Sequence, residues 1–546
     1  MADTIKPIFY AEESIGVNLF GLEDKTSGYS VYTTLADKER QYPSLLAFAG
    51  ARYSRSGLSI EELFREIKDA KKGAEKRLAD IFNNYGHASV GDMAQLFAYI
   101  EHVPFFASFF LFYHSAVGAG QERSSRFQSY GKSSLPELGY FFSDTDKKQI
   151  SPKLQSQYTE LESFALASYQ KYKGILTDSY RDYYKPKDDA KEIAALASRV
   201  NDSVRSFLLS GFGTSFAYIT SAREWARLIG ELKARDNGSY KPLGTLLESL
   251  FVPSQEVTSE YDFHAEAPDL FRHTEPDLTI QKNLEQLSQY IDMHPDLLDG
   301  VAIVQDIGKY IEQDVCLLDV KPADMFLVQY ILTLYPSYDV TSLSKKIASL
   351  SKPVRKSLSK ILFAGHDNYV QMDGMARLGA YSYAVRMSIG EARDLNRHRA
   401  FGRYTSLLEY PLHPEEFIQR GFTIPLYLEV PEMKKIKEKF VSDMSLYFDK
   451  LAIFFASLKK EDKSYASSLP LYLLPLGTNI LYFLHGSVKE VSYMTRQRVR
   501  PGGHINYRDV AFQMAKKLAD TDSLYTRIAI SEKPDLANRE EFFDRS

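Results

Sequence analysis

The sequence predicts a mixed α+β fold dominated by helices, and three observations carry that expectation. Long stretches with apolar residues at helical spacing alternate with shorter runs rich in Thr, Ile, Phe and Tyr. Ordered blocks recur in the two halves of the chain. The 546 residues also exceed what one hydrophobic core usually supports.

Each element has its own signal. "GLSIEELFREIKDAKKGAEKRLADIFNNYG" carries helical spacing and stops at Gly86. The most apolar window, Val103 to Tyr113, is shorter than the roughly 20 residues that span a bilayer, so it reads as a buried helix and no membrane partner is expected. "LEQLSQYIDMHPDLLDGVAIVQDIGKYIEQDV" also reads as helical. Strands are expected in "GTSFAYIT", "GTNILYFLH" and "FTIPLYLEV". The Met-Ala-x-Leu-x-Ala-Tyr runs, Met93–Tyr99 and Met375–Tyr381, fit a strand or a helix equally.

Those runs belong to the repeat. Tyr85–His102 pairs with Ala364–Val385, and Gly211–Arg235 pairs with Pro475–Val499, in the same order. The chain therefore reads as two tandem domains, 1–275 and 276–546, meeting in the Pro- and acid-rich stretch "HAEAPDLFRHTEPDLT". No motif is visible between about 268 and 353.

Composition narrows the function. Hydrophobic residues make up 44% and charged residues 25%, as in a folded globular chain. The net charge of -4 argues against a nucleic-acid partner gripped by the whole surface, so any anion site is local. Cys316 is the only cysteine, which excludes an internal disulfide and a cysteine-based zinc site, and no metal site is expected. The first residues show no basic stretch followed by an apolar run, and a cytoplasmic location is expected.

The local charge lies in "EARDLNRHRAFGRYTSLLEY", Glu391–Tyr410, which holds four arginines and a histidine. If this stretch is helical, Arg393 and Arg397 share a face and Arg399 points elsewhere. Arginine donates bidentate bonds to phosphate or carboxylate, so the cluster suits a phosphate-bearing ligand; ion pairs to Glu391, Asp394 and Glu409 on a solvated face are the alternative. At the corresponding place in the first copy, "GAGQERSSRFQSYGKSS" offers Gly118, Gly120, Ser124, Ser125, Arg123 and Arg126 as a phosphate-compatible loop.

Together these residues resemble the flavin-dependent thymidylate synthases. The matching segments are "GHASVGD" and "ERSSRF" in the first copy, and "RHR", "GRY", "LLPLGTNILYF" and "INYRD" in the second; "FYHSAVG" stands where the first copy should carry R-H-R. The resemblance implies a central, mostly antiparallel sheet in each domain. It implies FAD as cofactor, and NADPH, methylenetetrahydrofolate and dUMP as the other small molecules, with dUMP methylated to dTMP. His87, Arg397, His398 and Arg399 are similar to flavin-contacting positions, and Ser124, Arg126, Arg403 and Arg508 to nucleotide-binding ones. Of these, Arg403 and Arg508 are expected to act in catalysis. A fused pair would resemble half of the family's homotetramer, so a homodimer forming a pseudo-tetramer is expected. Two alternatives remain open: a non-catalytic or altered-function relative that binds nucleotide or flavin as a binding or regulatory module, and an RNA or single-stranded DNA binder using "RHRAFGRY" and "RQRVRPGGHINYR".

Overall fold

The computed structural model describes residues 5–12, 17–34, 43–53, 88–115, 117–235, 238–260, 265–318, 322–362, 381–461, 465–520 and 533–544, apart from six single positions within them, and scattered positions between 56 and 65. The chain forms two compact units. Unit 1 comprises 1–123 and 213–277, and unit 2 comprises 124–212 and 278–546.

Unit 1 is built on a six-stranded antiparallel sheet, ordered β1-β2-β3-β4-β6-β5, from β1 (Ile5–Glu12), β2 (Val17–Asp24), β3 (Ser30–Thr34), β4 (Gln95–Pro104), β5 (Ala119–Glu122) and β6 (Gly213–Ser221). Along β4 the strand alternation is clear. Leu96, Ala98 and Ile100 are buried while Gln95, Phe97 and Tyr99 are exposed, so Met93–Tyr99 resolves as a short turn of 3₁₀ helix leading into a strand. The apolar window forms the helix Phe105–His114, nearly all of it buried, as its composition predicts. The glycines of the expected phosphate loop do other work: a Cβ on Gly118 would fall 1.9 Å from the Tyr218 hydroxyl, and one on Gly120 would fall 2.5 Å from the Ala217 carbonyl. They let β5 approach β6 closely, so Ala119–Glu122 of this stretch is a strand, while Arg123, Ser124, Ser125 and Arg126 follow it outside the strand.

Unit 2 carries a four-stranded antiparallel sheet, ordered β7-β8-β10-β9, from β7 (Asp314–Leu318), β8 (Tyr381–Ser388), β9 (Gly402–Tyr404) and β10 (Asn479–Gly486). Its order matches β3-β4-β6-β5 of unit 1, so the duplication read from the sequence recurs in the topology. In both, a helix follows the second strand and another follows the strand paired with it: Phe105–His114 and Ala222–Ala234 in unit 1, Ile389–Leu395 and Val488–Arg498 in unit 2. The compact units do not run along the sequence copies, however. The helices Pro152–Tyr184 and Ala190–Val204 come from the first copy yet fold into unit 2, where Tyr172 donates to Asp443 of the helix Lys434–Lys460 at 2.7 Å.

Every residue of β10 is buried, because both faces of this sheet are covered. One cover is a helical layer from the stretch in which no motif is visible. Leu284, Leu287, Met325, Ile331, Leu343 and Leu358 cluster with Ala384, Tyr404, Leu481 and Phe483 of the sheet.

Three sequence expectations need correction. The helix expected from Leu284 to Val315 runs only over Thr279–Met293; Pro295 and the left-handed Gly300 and Gly308 keep the chain beyond Met293 from continuing it, and β7 begins at Asp314. "FTIPLYLEV" contains a 3₁₀ turn, Leu426–Glu429, instead of a strand; Pro425 removes a donor, and the Leu426 amide goes to the Asn506 side chain at 2.9 Å. The helix entering the arginine cluster ends at Leu395, so Arg393 and Arg397 share no helical face. The helix expected to stop at Gly86 lies outside the described residues for most of its length.

Candidate functional site

The arginine cluster is set by a short helix with two strong ends. At its start Ser388 and Glu391 form a reciprocal cap, with the Ser388 amide on the Glu391 carboxylate at 2.7 Å and the Glu391 amide on the Ser388 hydroxyl at 3.2 Å. At its end Asn396 is held from inside the fold. Arg403 donates to the Asn396 backbone carbonyl and, at 2.9 Å, to its side-chain oxygen, which also accepts from the Tyr482 hydroxyl at 3.1 Å. Arg397, His398 and Arg399 therefore lie on a tight turn, with the His398 amide returning to the Leu395 carbonyl at 3.1 Å.

This geometry separates the arginines by role. Arg403, expected at the nucleotide, is buried behind the turn with its guanidinium on Asn396. Arg397 and Arg399 are exposed on the turn, and Arg496 and Arg500 are exposed at the end of Val488–Arg498 and just beyond it. None of these four forms an ion pair among the described residues. Glu391 is occupied by its cap, and Asp394 binds Arg205 at 2.8 Å. Two of the three carboxylates that a paired face would use, Glu391 and Asp394, are thus engaged elsewhere.

His398 accepts at Nε2 from Nε of Arg498 at 2.6 Å, and its ring lies 6.4 Å from that of exposed Tyr493. Burial, with Arg498 and Arg403 nearby, lowers its pKa to about 3. Arg498 in turn sits over the Tyr507 ring, 5.4 Å from its centre. The Tyr507 hydroxyl lies 3.5 Å from Nη2 of Arg126.

Arg126 connects the first copy to this neighbourhood. It forms an ion pair with Asp202 at 2.8 Å and donates to the Gly502 carbonyl at 3.2 Å, while its own amide donates to the Ser124 hydroxyl at 3.3 Å. Arg508, in the helix Ile505–Ala519, donates through Nε to the Val499 carbonyl at 2.9 Å and pairs with Glu541 at 2.5 Å; its Nη1 is buried with no hydrogen-bond partner. Unit 2 thus brings together Ser124, Arg126, Arg397, His398, Arg399, Arg403 and Arg508, while His87 lies outside the described residues. Sequence reasoning missed Arg498 and Tyr507 as members of this set; their signal is "RQRVRPGGHINYR", which by itself suggests only a nucleic-acid stretch. The exposed arginines without carboxylate partners and the unpartnered Nη1 of Arg508 fit an anionic cofactor or nucleotide.

Beneath the site lies buried His504. Its Nδ1 accepts from the Asn506 amide at 3.2 Å, so Nε2 carries the proton toward the Asp202 carbonyl, 3.2 Å away. Burial, with Arg205 nearby, lowers its pKa to about 3. A histidine held neutral in the fold but free to charge when unfolded stabilises fully above the ordinary value of about 6.5 and progressively less as pH falls toward about 3. His398 adds in the same direction. The thermal midpoint should therefore fall between pH 7 and pH 4, and His504→Asn should flatten that slope; an unchanged slope would refute the assignment.

In unit 1 the counterpart of this turn is closed. Tyr113, His114 and Ser115 stand where Arg397, His398 and Arg399 stand in unit 2. His114 is buried, with its carbonyl on Arg227 at 2.6 Å and its ring 4.1 Å from that of Phe110.

Among the described residues, no group of three or more His, Cys, Asp or Glu could hold a metal, and no helix is long and apolar enough to cross a membrane. Residues 34–237 match the family model described as thymidylate synthase complementing protein, which bears out the resemblance read from the motifs. The match falls on the first copy, whose own turn is closed. Over 513 residues the chain is 23% identical to a UPF0159 protein of Chlamydia muridarum, covering 87% of each. It is 21% identical over 481 residues to a UPF0159 protein of Chlamydia pneumoniae, covering 85% of this chain and 82% of that one.

Proposed function

We propose that this chain, which resembles the thymidylate synthase complementing proteins over residues 34–237, is a flavin-dependent methyltransferase acting on a pyrimidine nucleotide of the dUMP type. The observation that carries this reading is the set of exposed arginines without carboxylate partners around neutral His398, reached from the first copy through Arg126. We take 1–275 and 276–546 as the duplicated copies, with one ligand site per chain, in unit 2.

FAD, reduced by NADPH, would supply the hydride that completes a methyl group whose carbon comes from methylenetetrahydrofolate. Arg397 and Arg399 would bind the anionic groups of cofactor or nucleotide. His398 would face the ligand as an uncharged donor, and Arg403 would hold the turn from behind through Asn396. Arg508 and Ser124 would complete the nucleotide end. This arrangement asks the protein for positioning and charge, with no side-chain nucleophile. A cytoplasmic homodimer that completes a pseudo-tetramer is part of the same reading.

A second reading, a relative that binds flavin or nucleotide without carrying out the chemistry, is favoured by Arg403 and Arg508 already being engaged on Asn396 and Glu541. The visible absorption spectrum, recorded after adding FAD and desalting, decides first. Retained flavin bands support the enzyme and justify a dUMP methylation assay with NADPH and methylenetetrahydrofolate. A colourless protein that binds dUMP leaves the second reading. Replacing Arg397 or Arg399 by Ala should weaken FAD or dUMP binding by about 1.5–3 kcal/mol for each charge-assisted hydrogen bond removed, with the melting temperature unchanged, since both side chains are exposed. Equal affinities in titration would remove the turn from the site.

A further inference from the structure

A histidine near the end of the helix after one strand and an arginine near the end of the helix after its neighbour meet in both units. In unit 1, His114 ends the helix after β4, Arg235 follows the helix after β6, and Nη2 of Arg235 lies 3.3 Å from Nε2 of His114. In unit 2, His398 follows the helix after β8, Arg498 ends the helix after β10, and the nitrogens are 2.6 Å apart. The residue types are the same, the contact is made through Nη2 of Arg235 in one unit and Nε of Arg498 in the other, and the surroundings are opposite. The unit 1 pair is sealed, with Arg235 4.3 Å from the centre of the Phe110 ring and bonded to Glu231 at 2.8 Å. The unit 2 pair is partly open and flanked by exposed Arg397 and Arg399.

An arginine side chain has donors only. Nε2 of His398 is therefore the acceptor, and the neutral ring carries its proton on Nδ1, at the edge turned away from Arg498. We propose that Arg498 is a positioning residue of the unit 2 site: it locks His398 as a neutral ring whose Nδ1–H donates to an uncharged ring acceptor of a ligand whose anionic group is taken by Arg397 or Arg399. A pyrimidine nucleotide and a flavin both join an anionic group to ring carbonyls and ring nitrogens. The histidine reads the ring, and the arginines read the charge. This deepens the proposed function and rests on it. Without Arg498 the histidine would be free to flip its tautomer or to charge, and would then present an acceptor or a cation in place of a fixed neutral donor.

Nitrogen NMR of the full chain labelled at histidine tests this, with His398→Gln assigning the resonance. In the unaltered protein His398 should show the neutral Nδ1–H tautomer down to about pH 5. In Arg498→Ala it should mix tautomers, and its pKa should rise relative to the unaltered protein while burial still holds it below the ordinary value. The same variant should raise the Kd for FAD or dUMP at least tenfold, and Arg498→Lys, which can still donate, should restore the tautomer and part of the affinity. Should Arg498→Ala not fold, Arg498→Gln is read in its place. Unchanged nitrogen shifts in the variant overturn the lock. Altered shifts with unchanged Kd for both ligands reduce Arg498 to a structural residue and overturn the positioning role. If the unaltered protein binds neither FAD nor dUMP, the reading of the site fails and the ligand half of this proposal falls with it, while the shifts still judge the lock.

Discussion

Phe542→Ala should destabilise unit 2 by about 3–5 kcal/mol, the range for truncating a fully buried aromatic ring. Phe542 has no exposed surface, and its ring stacks on Tyr184 with centres 3.6 Å apart and meets Tyr427 at 5.1 Å. The helix that carries it, Arg539–Phe543, has five residues and cannot hold itself without such an anchor. Arg199 adds the reason the effect should spread. It donates to the carbonyls of Phe542 and Asp544, both at 3.0 Å, and also to those of Pro501 and Gly503, both at 2.7 Å. Loosening the anchor therefore frees the turn to which Arg126 also donates, at Gly502. Urea unfolding should show the lower midpoint, and Phe543→Ala, at a half-exposed ring, should show a much smaller shift. Equal shifts would refute the account.

The second large effect concerns Arg205. Its guanidinium is buried and pairs with Asp394 at 2.8 Å. Burial alone would raise the Asp394 pKa, but Arg205 and Arg126 outweigh it and hold the carboxyl well below its ordinary range. Arg205→Ala should cost about 3 kcal/mol, because a charged partner is left in a site built to neutralise it. Because the Asp394 pKa is depressed in the fold, the stability it contributes is present above the ordinary carboxylate value and is lost as pH falls below it. Removing Arg205 should accordingly make the protein less sensitive to acid below about pH 4. A variant that keeps both the midpoint and the acid sensitivity of the parent would show the pair to be idle.

Much of the fold was legible where local signals agree with the final packing. β6 and β10 were visible because Thr, Ile, Phe and Tyr cluster there, and the helix Phe105–His114 because it is almost wholly apolar. The repeat was legible as well, and it recurs as one strand order in two sheets. The arginine turn was not, since its helix is ended by Arg403 and Tyr482 reaching Asn396 from elsewhere in the sequence. Nor was the company of Arg126, whose partners Gly502 and Tyr507 lie 376 and 381 residues away. Periodicity and motif spacing report on neighbours along the chain. Contacts of that range are decided by how the copies share their helices, which neither copy records alone.

The assignment of residues 124–212 to unit 2 has a consequence for how the protein is made. During synthesis unit 1 can close once residue 277 has emerged, with the intervening 124–212 looped out of it. Those helices must then wait for the helix Lys434–Lys460, with apolar faces such as that of Tyr158, Leu161, Tyr172 and Leu176 uncovered in the meantime. A cut at the sequence repeat would not yield two folding halves, because residues 276–546 alone would lack the helices on which their own core closes.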